Sequence, residues 1–333
     1  MINKHVKSPC CNAPARRFGK RRRQCRRCTK TWRVRQRKRG RKKKRAVPGL
    51  MAAYLSRSVT TVRDLSQRRQ EGKSSSQRAL ARSLAQFIRV HDGTWQKLVP
   101  HRGKLILVAD AIWYRVQGRK YTIYVFLLRP RKGNEAVIWL PHLQEGHEDI
   151  KGWREAAETI PPAIYARIGA IVCDGGTGII NFTYHNRWLL QRCHFHLLAA
   201  VQNYLTTGSR SPQREFALRV IQLVQTVINS AEEKTVRSAL HDLDDICRTT
   251  RSRGLRRTLN GLLLHWQEYR TYQKYPDWHL PATSNAAESC IQCIRDLLYR
   301  CRGFRSEKQL KRWLTAFTIY KKTIRCRQKN QPN

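Results

Sequence analysis

Two aspartates directly follow apolar segments that have the character of buried strands. Asp110 ends the run Leu-Ile-Leu-Val-Ala-Asp, and Asp174 ends the run Ile-Val-Cys-Asp. The chain has only 22 Asp and Glu residues among 333, so two such carboxylates are better explained by a site than by surface decoration. Carboxylates at strand ends can hold divalent cations. The pair therefore predicts a metal centre.

A third carboxylate, Glu288, follows the segment Thr-Ser-Asn-Ala-Ala and falls in the first turn of a predicted helix. With Asp110 and Asp174 it would complete a two-metal site for in-line phosphoryl displacement, in which one ion activates the attacking oxygen and the other stabilises the leaving oxygen. The alternative is that Glu288 only stabilises a helix start, capped by Ser284 or Asn285, against the helix dipole. The predicted catalytic and Mg²⁺-binding set is Asp110, Asp174 and Glu288.

Four cysteines fall within residues 1–34, where the sequence predicts a zinc ribbon. Two of them form a Cys-x2-Cys knuckle, and the other two are adjacent, with a serine where the outer cysteine of a second knuckle would stand. Thiolates at this spacing can ligate one tetrahedral Zn²⁺. The fourth ligand stays open between Cys10 and His5, and free surface thiols are the alternative. The predicted structural Zn²⁺ ligands are Cys10, Cys11, Cys25 and Cys28.

The charge balance indicates a polyanionic partner. The chain has 67 Lys and Arg against 22 Asp and Glu, a formal net charge of +45. No apolar run approaches the ~20 residues that span a bilayer, and no secretory segment precedes residue 10. We therefore expect a soluble cytoplasmic protein that binds DNA. Residues 35–46 read as a basic linker, and the predicted DNA contacts of this region are Arg21, Arg22, Arg23, Arg41, Lys42, Lys43, Lys44 and Arg45.

Residues 47–95 have the pattern of two amphipathic helices with a glycine between them. A run of serines before the second helix supplies candidates for its N-cap. This pattern is typical of a helix-turn-helix that reads DNA in the major groove, although a purely structural hairpin of helices gives the same pattern. Under the DNA-binding interpretation, the contacting residues are Ser75, Gln77 and Arg78.

The next segment, residues 100–197, is predicted to form an α/β core. Three β-rich runs, 105–109, 121–128 and 136–140, are separated by turn residues and suit antiparallel neighbours. Helices and strands then alternate, with strands at 170–173 and 189–192. This order predicts a ribonuclease H-like fold. Residues 198–282 read as an all-α insertion of nearly continuous helix, and residues 283–327 return to the core as two helices, about 285–299 and 306–325.

Cys193, His194 and His196 stand immediately after the last predicted core strand. Cys193 and His196 could belong to a zinc site or form a nucleophile pair. His194 could approach the metal site or DNA, or be a satisfied interior histidine. The residues alone leave these roles open.

Asp110, then Asp174 followed by Cys193-His-Phe-His196, then a helical insertion and the segment Thr-Ser-Asn-Ala-Ala-Glu288, together resemble the DDE transposases of bacterial insertion sequences, within their Mutator-like group. The resemblance covers about residues 100–325, and the zinc-ribbon and helix-turn-helix start is similar to the DNA-binding heads of related elements. The adjacent cysteines depart from the double Cys-x2-Cys ribbon common there.

The resemblance implies a DNA transposase that cleaves the terminal inverted repeats of its element and joins the ends to target DNA. It implies two Mg²⁺ ions, replaceable by Mn²⁺, on Asp110, Asp174 and Glu288, and a structural Zn²⁺. It implies a structural role for Cys193 and His196, a homodimer or larger oligomer on paired ends, and a nucleoid-associated location in a bacterial cytoplasm. The alternatives are a structure-specific nuclease or resolvase on the same fold and a non-catalytic, domesticated DNA-binding protein.

Overall fold

The computed structural model describes residues 7–17, 22–33, 55, 77–205 and 213–326. Two compact units divide the chain, Met1–Val47 and Pro48–Asn333. Among the described helices, none combines the length and the apolar composition that a membrane crossing requires.

The first unit contains a small antiparallel sheet. Strands β1 (Ala15–Arg17), β2 (Arg22–Cys25) and β3 (Thr31–Arg33) pair in the order β1-β2-β3. Cys25 closes β2 opposite Ala15 and is buried. The sheet therefore places one knuckle cysteine at a strand end.

Helix α1 (Gln77–His91) lies near the start of the described part of the second unit. This helix corresponds to the second helix of the predicted helix-turn-helix, and it starts at Gln77. Its partner helix, apart from Leu55, and the turn with Ser75 lie outside the described residues. The motif therefore stays a prediction.

The centre of the second unit is a long hairpin. Strands β4 (Leu105–Val116) and β5 (Arg119–Pro130) are antiparallel along their whole length, joined at Gln117 and Gly118, which both have positive φ. The predicted end of the first strand at residue 109 is wrong. Asp110 lies within β4 opposite Val125, because cross-strand pairing continues where the unbroken apolar run stops.

Five further strands complete a mixed sheet with the order β10-β6-β5-β4-β8-β9, while β7 also pairs with β5. Pairing of β4 with β8 and of β8 with β9 is parallel; the other pairs are antiparallel. The fold class is thus mixed α/β. The added strands are β6 (Glu135–Ile138), β7 (His142–Glu145), β8 (Ile168–Cys173), β9 (Leu189–Arg192) and β10 (Thr323–Arg325).

Helices cover both faces of the sheet and form a separate bundle between β9 and the C-terminal segment. They are α2 (Ile150–Glu158), α3 (Pro162–Tyr165), α4 (Thr177–His185), α5 (His194–Leu205), α6 (Gln213–Asn229), α7 (Glu233–Thr249), α8 (Arg253–His265), α9 (Thr271–Lys274), α10 (Asn285–Cys301) and α11 (Glu307–Lys321).

One helical prediction needs correction, whereas the all-α insertion has the predicted helical content. In the insertion, α6, α7 and α8 pack, with α5, around an apolar core of their own. The last helix ends at Lys321 rather than at residue 325. Lys322 has a positive φ of 58°, which ends the helix, and the following residues pair with β6 as β10.

Side chains from the two faces of β4 pack in two different apolar cores, because side chains alternate along a strand. Ile106, Val108 and Ile112 pack in the core that contains α10 and α11 residues. Leu105 and Leu107 pack in the core of α2 and α4. Asp110 has the parity of the first set, so its strand position directs it to the α10 side.

Gly152 lets helix α2 lie close to the sheet. A Cβ atom there would overlap the hydroxyl of Tyr124 and the side-chain amide of Gln144. Tyr124 donates a 2.7 Å hydrogen bond to Gln144 and accepts one of 3.2 Å from the amide of Asp149. Gly152 therefore fixes the start of α2, directly after Glu148 and the N-cap residue Asp149.

We expect Gly152→Ala to lower the free energy of unfolding by about 1 to 3 kcal/mol, because the added methyl overpacks this contact. Gly261→Ala is the matched control: a Cβ atom on this helical glycine meets nothing within 4 Å, so it should stabilise the protein by roughly 0.5 to 1 kcal/mol. Chemical denaturation of both variants checks the difference. Equal stabilities would contradict the close packing at Gly152.

Candidate metal centres

Asp110 lies just beyond the part of β4 that pairs with β8, where Val108 opposite Val172 is the last described pair. Its side chain is 6% exposed. One carboxylate oxygen, Oδ1, accepts a 2.8 Å hydrogen bond from the amide of Ala111. The other, Oδ2, is buried and has no hydrogen-bond partner within the described part of the chain.

Asp174 follows β8 directly, at a turn formed by Gly175, whose φ is +100°. Its Oδ1 accepts a 3.0 Å hydrogen bond from the amide of Gly176. A Cβ atom on Gly176 would lie 3.6 Å from this oxygen and 3.2 Å from Oε1 of Glu148. The carboxylates of Asp174 and Glu148 therefore border the same glycine.

Glu288 lies in the first turn of α10, as its sequence predicts. Its Oε2 is 4.0 Å from Nε2 of His196, and its Oε1 is 3.6 Å from a guanidinium nitrogen of Arg295. One ligand atom from each of Asp110, His196 and Glu288 lies within 4.8 Å of the others. The structure thus joins residues of β4, α5 and α10 in one group that can hold a metal ion.

The electrostatics of the group are those of crowded carboxylates. Burial, followed by the negative charge of Asp174, raises the pKa of Asp110 to about 7, although His196 and the amide of Ala111 lower it. The same crowding acts on Glu148, whose pKa is raised by desolvation and by the charge of Asp174. A divalent cation would relieve this repulsion.

Cys193 and Ser284 hold His196 on the side away from Glu288. The backbone amide of Ser284 donates a 3.1 Å hydrogen bond to Sγ of Cys193, and Oγ of Ser284 lies 3.5 Å from Nδ1 of His196. A hydrogen bond with Cys193, together with nearby negative charges, raises the pKa of His196 to about 9. Burial raises the pKa of the Cys193 thiol, but the bonds from His196 and Ser284 lower it overall.

His194 takes the interior role that its sequence left open. It is buried, and its Nε2 lies 2.6 Å from the carbonyl oxygen of Tyr269. His194 therefore joins the start of α5 to the end of the insertion. It is not in the group formed by Asp110, His196 and Glu288.

The second candidate centre is the cysteine cluster of the first unit. Sulfur atoms of Cys10, Cys11, Cys25 and Cys28 lie within 4.8 Å of one another, and Cys10 and Cys28 are 3.3 Å apart. A hydrogen bond from Ser8 lowers the pKa of Cys25 to about 6. Four converging thiols with one favoured as thiolate suit tetrahedral Zn²⁺. His5, the alternative fourth ligand, lies outside the described residues.

The predicted DNA contacts are only partly described. Arg22 and Arg23 lie on β2, and Gln77 and Arg78 begin α1. The others lie outside the described residues: Arg21, Arg41, Lys42, Lys43, Lys44, Arg45 and Ser75.

Two residues beside the carboxylates, His196 and Glu148, are not among the metal-binding residues that the sequence predicts for this site. The family resemblance implies a structural role for His196, and its Cys-x2-His spacing leaves a zinc site as an alternative; only the strand order shows that it lies beside Asp110. Glu148 shares its sequence signal with any acidic residue before a helix, so no pattern could single it out.

In comparisons with known proteins, no family model and no curated protein matches the chain. Its function is therefore inferred from the geometry of these centres.

We expect the purified chain to carry about one tightly bound Zn²⁺, and Cys25→Ser to lose most of it, because removing one thiolate leaves three ligands. Cys247→Ser is the matched control. This cysteine contacts Asn260 in the insertion, and a serine there can make the same contact. Metal analysis by mass spectrometry checks the pair, and unchanged zinc in Cys25→Ser would exclude this ligand set.

Proposed function

We propose that the chain is a DNA transposase of the DDE type, similar to the Mutator-like transposases of bacterial insertion sequences. In this proposal it binds the terminal inverted repeats of an element, cleaves DNA at its ends and joins the freed 3′-OH to target DNA. The observation that carries the proposal is the convergence of Asp110 and Glu288, far apart in sequence, in one group with His196. The charge of Asp174 also acts on Asp110 and raises its pKa.

The topology supports a ribonuclease H-like core. Three antiparallel strands, β6, β5 and β4, are followed by β8 and β9, which run parallel to β4. This is the order that the predicted ribonuclease H-like core requires. Asp110 follows the part of β4 that pairs with β8, and Asp174 follows the end of β8. The two residues therefore lie at the same end of this parallel pair, as a shared metal site needs.

The chemistry follows from what the carboxylates can do. Two divalent ions, Mg²⁺ or Mn²⁺, when bound, would activate the attacking oxygen and stabilise the leaving oxygen of a phosphodiester. Asp110, Asp174 and Glu288 would hold these ions. Water and then the 3′-OH of the element can serve as successive nucleophiles, so no protein side chain has to attack phosphorus.

Contacts between the end of the insertion and β9 bring the chain back to the place where Glu288 lies. Nε of Arg192 lies 2.5 Å from Oε2 of Glu268, and the side-chain amide of Gln191 donates a 2.9 Å hydrogen bond to the carbonyl of Tyr269. These contacts tie the end of the insertion to β9. The chain then reaches Ser284, whose backbone amide donates a hydrogen bond to Sγ of Cys193. Helix α10 starts at the next residue and carries Glu288 in its first turn, beside the cluster.

The basic composition supports DNA as the partner. In the proposed protein, the N-terminal unit is a zinc ribbon that adds electrostatic affinity, and the helical region before the core reads the end sequence. Pairing of two ends requires at least a dimer. Such a protein would act on the nucleoid in the bacterial cytoplasm.

The test is cleavage of a labelled linear DNA that carries the sequences bordering the coding region on both sides. We expect Asp174→Asn to reduce cleavage to background and to leave DNA binding intact, because the amide keeps the shape of the side chain but removes the charge that holds the metal. Asp245→Asn, on an exposed aspartate of α7 paired with His241, is the matched control and should cleave normally. Normal cleavage by Asp174→Asn would contradict the site.

A second substrate separates transposase from nuclease. A pre-cleaved end with a free 3′-OH should be joined to a target plasmid by the wild type. Cleavage of the first substrate without joining of the second would favour the structure-specific nuclease, and binding without either reaction would favour the non-catalytic protein.

A further inference from the structure

The carboxylate cluster contains a nitrogen ligand that a three-carboxylate site does not use. Nε2 of His196 lies 4.0 Å from Oε2 of Glu288, and both residues offer ligand atoms within 4.8 Å of Asp110. We propose that His196 coordinates one of the divalent ions through Nε2, beside Asp110 and Glu288, and biases this position toward a transition ion such as Mn²⁺. This inference rests on the proposed function, because it concerns the same site.

The buried carboxylate of Asp110 independently indicates a cation at this place. Asp110 is 6% exposed, and its Oδ2 has no hydrogen-bond partner in the described ranges. A buried, unpaired carboxylate oxygen is costly. A metal ion shared with His196 and Glu288 would satisfy it.

The surroundings of His196 are those of a ligating histidine. Histidines that bind metals are usually held at the second ring nitrogen by another protein group, which fixes the ring orientation. Here Nδ1 faces the hydroxyl of Ser284 at 3.5 Å, and the backbone amide of Ser284 is itself hydrogen-bonded to Sγ of Cys193. The opposite nitrogen, Nε2, is thereby directed to the carboxylates.

The nitrogen ligand predicts the metal preference. Mg²⁺ prefers oxygen ligands, whereas imidazole raises affinity for first-row transition ions relative to Mg²⁺. The other side of the site, at Asp174 and Glu148, offers carboxylate oxygens. One position would therefore take Mn²⁺ preferentially, and the other would accept either ion.

The experiment is electron spin echo envelope modulation on the full chain, loaded with Zn²⁺ at the cysteines and then with Mn²⁺. A directly bound imidazole gives ¹⁴N modulation of the Mn²⁺ signal. We expect this modulation in the wild type, its loss in His196→Gln, and Mn²⁺ binding weakened about tenfold or more. His241→Gln is the matched control, because His241 forms an exposed histidine–aspartate pair, 3.5 Å from Asp245, and should change nothing.

A second variant guards against a merely structural effect. His196→Asp should restore Mn²⁺ binding through oxygen, without ¹⁴N modulation and with a smaller preference for Mn²⁺ over Mg²⁺. Wild-type Mn²⁺ binding without ¹⁴N modulation, or modulation that persists in both variants, would overturn the inference. If the wild type cleaves DNA but its Mn²⁺ signal shows no ¹⁴N modulation, only this inference is overturned. If the modulation is present but the protein neither cleaves nor joins DNA, only the proposed function is overturned.

Discussion

Repulsion among carboxylates in a partly buried cleft is the constraint on which the site depends. Asp110 is held inside the protein, and burial together with the charges of Asp174 and Glu288 raises its pKa to about 7. Such an arrangement persists only when rigid elements impose it and a positive charge offsets it. In a chain with 67 basic residues, the described basic side chains beside Glu288 are Arg295 at 3.6 Å and His196 at 4.0 Å.

The sheet supplies the rigidity. Because β4 continues to Val116 while its described pairing with β8 ends at Val108, Asp110 stands at a step where the edge of β4 is open. Asp174 leaves β8 at that same step. The insertion is anchored to β9 by Arg192 and Gln191 and returns the chain to this place, where α10 carries Glu288. His196 comes from the start of α5, directly after β9.

The sequence predicts the parts of this fold that depend on local pattern. The strand at 189–192 and the helix start at Asn285 agree with the structure, because each follows from a local signal, two leucines at the start of the strand and a Ser-Asn pair at the start of the helix. The length of β4 and the existence of β7 and β10 are set by cross-strand pairing, which local composition does not encode. The three carboxylates could be chosen by type and position, whereas His196 needed the strand order and Glu148 left no distinguishing signal.

The most direct test of the account is an anomalous difference map from crystals of the full chain soaked in Mn²⁺. We expect two peaks about 3.5 to 4 Å apart, in contact with the carboxylates of Asp110, Asp174 and Glu288. No peak at these carboxylates, in a protein that cleaves DNA under the same ionic conditions, would contradict the claim that they form one metal centre.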